Sequence, residues 1–262
     1  MQHQRPLVNI LWTGGWDSTF RLLSLVDRPV SIQPYYLRDN RPSEPNELAA
    51  MSSISRALEP MLAPQTTLLP VVELHTSDVP EDPEISQAYE RLREQQFLGS
   101  QYDWLGRFAR SVDGLELCVH RDDKAFGVIQ AFGGVVGRDD PDLGFYHVLD
   151  PERSSSDLQK VFGCFRFPVL YKSKLDMLDE VKARGRREIL EQSWFCYQPV
   201  NGKPCGACNP CVYSIEEGMA FRFTPEALQR YRLEKVKRWL IHGLEAAHLK
   251  EPIKRILGRR TA

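Results

Sequence analysis

No stretch of this 262-residue chain approaches the roughly 20 consecutive apolar residues that a membrane-spanning helix needs. The opening Met1-Gln2-His3-Gln4-Arg5 carries no long apolar run, and residues 7–12 are too short for the core of a secretory signal. The expectation is therefore a cytoplasmic protein with no membrane partner. An excess of charge is missing too: 34 Lys and Arg stand against 35 Asp and Glu, a net charge of −1, so nucleic acid is not an expected partner on composition. There is no internal repeat, no low-complexity tract, and no Gly-Lys-Ser/Thr sequence of the Walker type. What remains is ordinary for a globular protein: 42% hydrophobic and 26% charged residues, enough apolar material for a sizeable core and a length that suits one large domain or one domain with an appendage.

Short apolar runs and amphipathic stretches alternate along the first two thirds. Residues 7–12 read as a buried strand and 17–26 as a helix. Strands are also expected at 30–37, 67–74, 115–120 and 162–170, with helices at 47–58, 83–94, 98–110 and 174–183. This alternation predicts an α/β fold with a doubly wound, mostly parallel sheet, whose ligands sit beyond the carboxyl ends of the strands. The expected division is an ATP-binding α/β domain over 1–190, then a C-terminal zinc-binding and helical region over 191–262. Residues 122–156, with two acidic–basic clusters and Gly133-Gly134, read as a long loop over the site or as an exposed insertion. A helix is expected over 224–257; from Thr224 onward there are ten Lys and Arg and four Glu, read as a solvated basic face.

The first strand end carries Thr13-Gly14-Gly15-Trp16-Asp17-Ser18-Thr19. Two glycines let the backbone turn tightly and approach a ligand. The helix that follows offers unsatisfied N–H groups and the positive end of its dipole, so the segment suits phosphate. Thr13, Ser18 and Thr19 add hydroxyls. Asp17 would repel phosphate directly and is expected as a helix cap, a magnesium ligand, or both. The plainer reading is a Gly-Gly turn with a polar cap.

Six cysteines are present. Cys118 and Cys164, in apolar surroundings, are expected to be buried thiols. Cys196, Cys205, Cys208 and Cys211 crowd into sixteen residues and read as a closed, structural four-cysteine zinc site; iron–sulfur ligation is the rival.

These two segments carry a resemblance. Residues 13–18 resemble the Ser-Gly-Gly-x-Asp-Ser signature of the PP-loop ATP pyrophosphatases, with Thr13 in place of the first Ser. Trp194-Phe195-Cys196-Tyr197 and Pro204-Cys205-Gly206-Ala207-Cys208-Asn209-Pro210-Cys211 are similar to the zinc site of the 7-cyano-7-deazaguanine synthase (QueC) family, and the likeness spans roughly residues 7–220. It implies an ATP-dependent carbon–nitrogen ligase: ATP and Mg2+ on Thr13, Gly14, Gly15, Trp16, Asp17, Ser18 and Thr19, Zn2+ on the four cysteines, a carboxylate activated as acyl-AMP, and pyrophosphate released. By that likeness Lys174, in Ser173-Lys174, neutralises the leaving pyrophosphate, and Asp17, Ser18 and Lys174 are the catalytic candidates. The implied substrate is 7-carboxy-7-deazaguanine with ammonia, giving the nitrile; a homodimer is also implied.

On the substrate side the chain departs from the family. The family's Pro-x-Arg-Asn segment is replaced by Leu98-Gly99-Ser100-Gln101-Tyr102-Asp103. The run after the fourth strand is His120-Arg121-Asp122-Asp123-Lys124, and the run after the second is Leu37-Arg38-Asp39-Asn40-Arg41. Gln101, Tyr102, His120 and Arg121 are the candidate substrate contacts. Two other functions stay open: a relative in antiphage defence that joins the deazaguanine to another amine, such as one on a protein, and a non-catalytic nucleotide- or RNA-binding zinc protein.

Overall fold

A computed structural model describes residues 5–246. The chain divides into two compact units, Met1–Phe195 and Cys196–Ala262. Among the described residues no helix is long and apolar enough to cross a membrane.

The first unit is α/β with a mostly parallel sheet. Its elements run β1 (Leu7–Leu11), α1 (Trp16–Leu25), β2 (Ser31–Arg38), α2 (Glu44–Leu58), β3 (Thr67–Leu68), β4 (Val72–His75), α3 (Pro83–Gln95), α4 (Gln101–Ala109), α5 (Lys124–Phe132), β5 (Gly134–Asp140), β6 (Gly144–Asp150), α6 (Ser156–Phe162), α7 (Lys174–Ala183) and α8 (Arg187–Leu190). β1 pairs parallel with β2, and β2 pairs parallel with both β3 and β4. The single strand expected over 67–74 is split, because Pro70 lies between its two halves and has no N–H to give to a ladder.

The expected strand at 115–120 is reduced to parallel bridges, Ile10 with Glu116 and Glu116 with Arg166. Around them Leu11 N donates to Glu116 O at 3.1 Å, Glu116 N to Asn9 O at 2.7 Å, and Leu117 N to Arg166 O at 2.9 Å. The ladder stops where Val119 N turns back to Leu117 O at 2.9 Å, a three-residue turn centred on Cys118. Likewise only Arg166 and Phe167 of the strand expected over 162–170 are bridged.

Residues 122–156 are not a loop. Asp123 caps α5 by accepting the Ala125 N–H at 2.7 Å. β5 and β6 then form an antiparallel hairpin, and His147 of β6 pairs antiparallel with Phe167, which adds the hairpin to the edge of the parallel sheet. The Arg138-Asp139-Asp140 run disguises β5 in the sequence: it lies on the exposed part of that strand.

β1 is buried along its middle, Val8-Asn9-Ile10, as a central strand covered on both faces must be. Helices pack in two sets. α1 meets α7 and α8, and α2 meets α8; α3, α4 and α6 meet one another over a core that includes Tyr102, Phe108, Phe162, Phe165 and Phe167. One buried ion pair crosses from helix to sheet. Arg21 of α1 donates to Glu116 at 2.7 and 2.6 Å and to the Leu143 carbonyl at 2.9 Å.

The second unit holds α9 (Asn209–Ser214) and α10 (Pro225–Ala246). The helix expected over 224–257 is present as α10, and its remaining stretch lies outside the described residues. Of the two cysteines expected in the core, Cys118 is half-buried and Cys164 exposed, the latter because it follows Gly163 in the turn that closes α6.

Candidate functional site

Because β1, β2 and the bridged segments at 116 and 166 run parallel, the residues that follow them emerge at one edge of the sheet. Residues 12–19, His120 and residues 171–174 therefore meet there.

The loop after β1 turns through Gly14, whose φ of +66° lies in the left-handed region that disfavours any other residue. A Cβ at this position would stand 3.0 Å from the Glu47 carbonyl and 3.0 Å from Met51 Cγ. Gly15 is the N-cap of α1 and supplies no side-chain cap. The first helical bond is Thr19 N–H to Gly15 O at 3.1 Å, so the N–H groups of the first turn lie outside the helix's own ladder. Trp12 is fully buried, and its indole N–H donates to Thr19 Oγ1 at 3.1 Å. Thr19 is thus part of the loop's footing. Trp16 and Ser18 are buried, and Thr13 is exposed.

Asp17 does not cap the helix. Its Oδ2 lies 3.6 Å from His120 Nδ1, while its Oδ1 is buried and accepts no hydrogen bond from the described residues. An unpartnered carboxylate oxygen is a hard donor of the kind a divalent cation takes. His120 is 4% exposed. Asp123, absent from the sequence-based candidates, completes the group. Burial pushes its carboxyl pKa up, the Ala125 N–H and His120 pull it down, the Asp17 charge raises it, and Lys174 lowers it. Tyr102 is buried beside them, its hydroxyl pKa raised by burial first and then by Asp123 and Asp17. Asp123 could have been found as an Asp preceding the apolar run at 125–129, the mark of an N-cap.

Lys174 opens α7 behind a capping box: Ser173 Oγ accepts the Asp176 N–H at 3.1 Å, and Asp176 accepts the Ser173 N–H at 2.8 Å. Gln101 is exposed at the start of α4, interacting with Tyr102. Arg121 faces solvent, 3.9 Å from Asp176, and its N–H donates to Lys172 O at 3.0 Å. The structure therefore brings together Asp17, Tyr102, His120, Asp123 and Lys174, with Gln101 and Arg121 at the rim. Asp103 is engaged elsewhere, accepting from Ser86 at 2.6 Å and Arg107 at 3.2 Å. The run after β2 is turned inward as well: Arg41 donates to Glu47 at 2.6 Å, and Tyr36 and Ser43 donate to the same carboxylate at 2.9 and 2.6 Å.

In the second unit the four cysteine sulfurs lie within 4.8 Å of one another. Cys196 and Cys208 are 3.9 Å apart, and Cys205 and Cys211 3.8 Å. Tetrahedral ligands about 2.3 Å from a zinc ion stand about 3.8 Å from each other, so the spacing fits that ion. Backbone N–H groups point at the sulfurs: Cys205 N to Cys196 Sγ, and Ala207 N and Cys208 N to Cys205 Sγ, all at 3.3 Å. Hydrogen bonding within the cluster draws the Cys208 thiol down and pushes Cys196 and Cys211 up; a divalent cation is what lets several thiolates share such a space. A Cβ on Gly206 would fall 2.0 Å from the Ala227 carbonyl, so the knuckle packs directly on α10, where Arg230 donates to Cys205 O at 2.7 Å.

No known family model matches the chain, and no curated protein gives a significant sequence match.

Proposed function

We propose that the chain is an ATP-dependent, AMP-forming carbon–nitrogen ligase of the PP-loop class, built on a doubly wound sheet and acting on a deazapurine carboxylate. The observation that carries this reading is the convergence, at one sheet edge, of the uncapped start of α1 with Asp17, His120, Asp123 and Lys174. Gly15 and the first-turn N–H groups would take the ATP phosphates, with Ser18 beside them. Asp17 Oδ1 would hold Mg2+, whose charge offsets that of the triphosphate. The substrate carboxylate oxygen attacks the α phosphorus, the bond to the β-phosphate oxygen breaks, and pyrophosphate leaves towards Lys174. The amine nitrogen then attacks the acyl carbon, and AMP departs with the bonding pair. Catalysis is positioning and charge stabilisation, and the zinc is structural.

With ammonia, a second adenylation of the resulting amide and loss of AMP would give 7-cyano-7-deazaguanine. A second outcome within the same reading is one adenylation, then transfer to another amine, such as one on a protein.

The test is incubation with ATP, Mg2+, ammonium and 7-carboxy-7-deazaguanine, followed by mass spectrometry of base and nucleotide. AMP with the nitrile supports the first outcome, and AMP with an amide adduct the second. ADP in place of AMP removes the mechanism. Neither AMP nor pyrophosphate with any carboxylate supports a binding protein without catalysis.

A further inference from the structure

Within the second unit, α10 is held to the cysteine knuckle by polar contacts and turns its apolar side outward. Arg230 donates to the Cys205 carbonyl at 2.7 Å, Tyr231 to Glu216 at 3.3 Å, and Arg238 to Asn209 Oδ1 at 2.8 Å. Ala227 stands against Gly206 on the same side. Leu233, Val236 and Leu240 are spaced as neighbours on one helix face, with Trp239 beside them. These four side chains are 50–74% exposed and fall within eight residues. Apolar residues exposed singly are ordinary, whereas a contiguous patch marks an interaction site.

Cations border this stripe. Arg232 is exposed and lies one turn from Val236, and Lys237 lies one turn from Leu233. Lys237 sits 3.8 Å from Glu234, an exposed pair of little strength. Glu234 itself is engaged by Arg238 at 3.0 Å. The wider balance has the same sign. From Cys196 onward the chain holds twelve Lys and Arg against six Glu, whereas residues 1–195 hold 22 against 29 acidic residues. The near-neutral total conceals a basic second unit.

This pattern selects among occupants. A second copy of α10 laid stripe to stripe would bring the Arg232 and Lys237 cations of both chains together, and like charges so placed oppose docking. A cover made by residues 247–262 meets the same objection, since they carry five Lys and Arg and one Glu. A polynucleotide would suit the cations, but its bases stack on aromatic rings, and three of the four exposed side chains are aliphatic. An anionic bilayer satisfies both halves. The acyl boundary takes the aliphatic stripe, the headgroup level suits Trp239, and lipid phosphates and carboxylates pair with the flanking cations.

We propose that α10 lies on the surface of an anionic membrane through Leu233, Val236, Trp239 and Leu240. That no described helix is long and apolar enough to cross a membrane does not bear on a helix that lies in the interface. The attachment uses the second unit alone and is independent of the ATP reading.

The full chain, loaded with zinc, is floated with phosphatidylcholine vesicles that contain or lack phosphatidylserine. Binding is expected only to the anionic vesicles, and is expected to fade as salt rises well above about 0.15 M, where screening shortens to about 8 Å or less. Leu233→Ser combined with Leu240→Ser should weaken it about tenfold or more, the effect of two aliphatic side chains no longer buried. Arg232→Gln should weaken it about fivefold. Zinc content should stay unchanged in both variants, the mark of an intact second unit. Brominated acyl chains should quench the emission of the wild-type chain more than that of Trp239→Phe. Failure to float with anionic vesicles overturns the proposal, as does wild-type binding by the double Leu variant or equal quenching in Trp239→Phe. A dimer that the double Leu change dissociates would assign the stripe to a second copy. Single-stranded RNA bound in preference to the vesicles would assign the cations to nucleic acid. Either result also overturns the proposal.

Discussion

Replacing Gly14 by Ala separates two costs that usually arrive together. An alanine at φ +66° carries the left-handed strain of a non-glycine residue, about 1–2 kcal/mol. Its Cβ would also press against the Glu47 carbonyl at 3.0 Å and the Met51 N at 3.3 Å. These are backbone atoms of a packed helix that cannot step aside cheaply, and overpacking of this kind adds about 1–2 kcal/mol. Gly185 offers the matching control. Its φ is +65°, and nothing lies within 4 Å of its would-be Cβ, so Gly185→Ala carries the strain alone. The expected difference between the two variants is about 1–2 kcal/mol, and at roughly 2–4 °C per kcal/mol for a chain of this size Gly14→Ala should melt about 2–8 °C below Gly185→Ala in differential scanning calorimetry. Nucleotide binding, followed by isothermal titration, should be lost in Gly14→Ala and kept in Gly185→Ala. Equal melting temperatures would refute the packing argument, and wild-type nucleotide affinity in Gly14→Ala would refute the placement of phosphate on this loop.

The buried pair of Arg21 and Glu116, with side chains 6% and 1% exposed, should make Glu116→Gln lose about 3–5 kcal/mol in urea denaturation, because a buried guanidinium is left without its counter-charge. The double change Arg21→Met with Glu116→Leu should lose less. Asp123 has a carboxyl pKa raised by burial above its ordinary 3.8, so its native form favours the proton; its favourable contribution is present below the unfolded value and is lost as pH rises through the folded one. Asp123→Asn keeps a good cap and should therefore gain stability relative to wild type as pH rises from about 4 to about 7.5, as urea titrations at both ends would read. The chain should bind one zinc ion on Cys196, Cys205, Cys208 and Cys211, seen by elemental analysis. Cys208→Ser should lose most of that metal, and visible absorption from bound iron instead would exclude the zinc assignment.

What could be read from the sequence is what is local in the chain. The turn before α1 announces itself because two glycines and a helix start fit into eight residues. The cysteine cluster does so because its spacing is close to the ligand geometry, and α7 does so because Ser173 and Asp176 make their capping box within one turn. The hairpin at 134–150 stayed hidden behind charged residues on an exposed strand. The fourth strand shrank to bridges because a turn at Cys118 interrupts it, and no single-residue propensity foretells that turn. The wider sheet was legible only as an alternation of elements, since the pairing of Glu116 with Ile10 and Arg166 joins residues far apart in the chain.

The same distinction runs through the site. Asp17 was legible as a polar residue at a helix start, where a cap and a magnesium ligand were both expected roles. The cap is absent, and its environment comes instead from His120 and Asp123, about a hundred residues away; that environment leaves one carboxylate oxygen available for a cation. The contact between Trp194 and Gly14 is harder still to foresee, because it is made by backbone atoms that every sequence possesses. Its effect depends on the peptide plane that follows rather than on any side chain. The direction of the Gly15 N–H is set by what holds the Gly14 carbonyl, because the two belong to one planar peptide. In this chain that hold is the Trp194 N–H at 2.9 Å, a contact between residues far apart in the sequence.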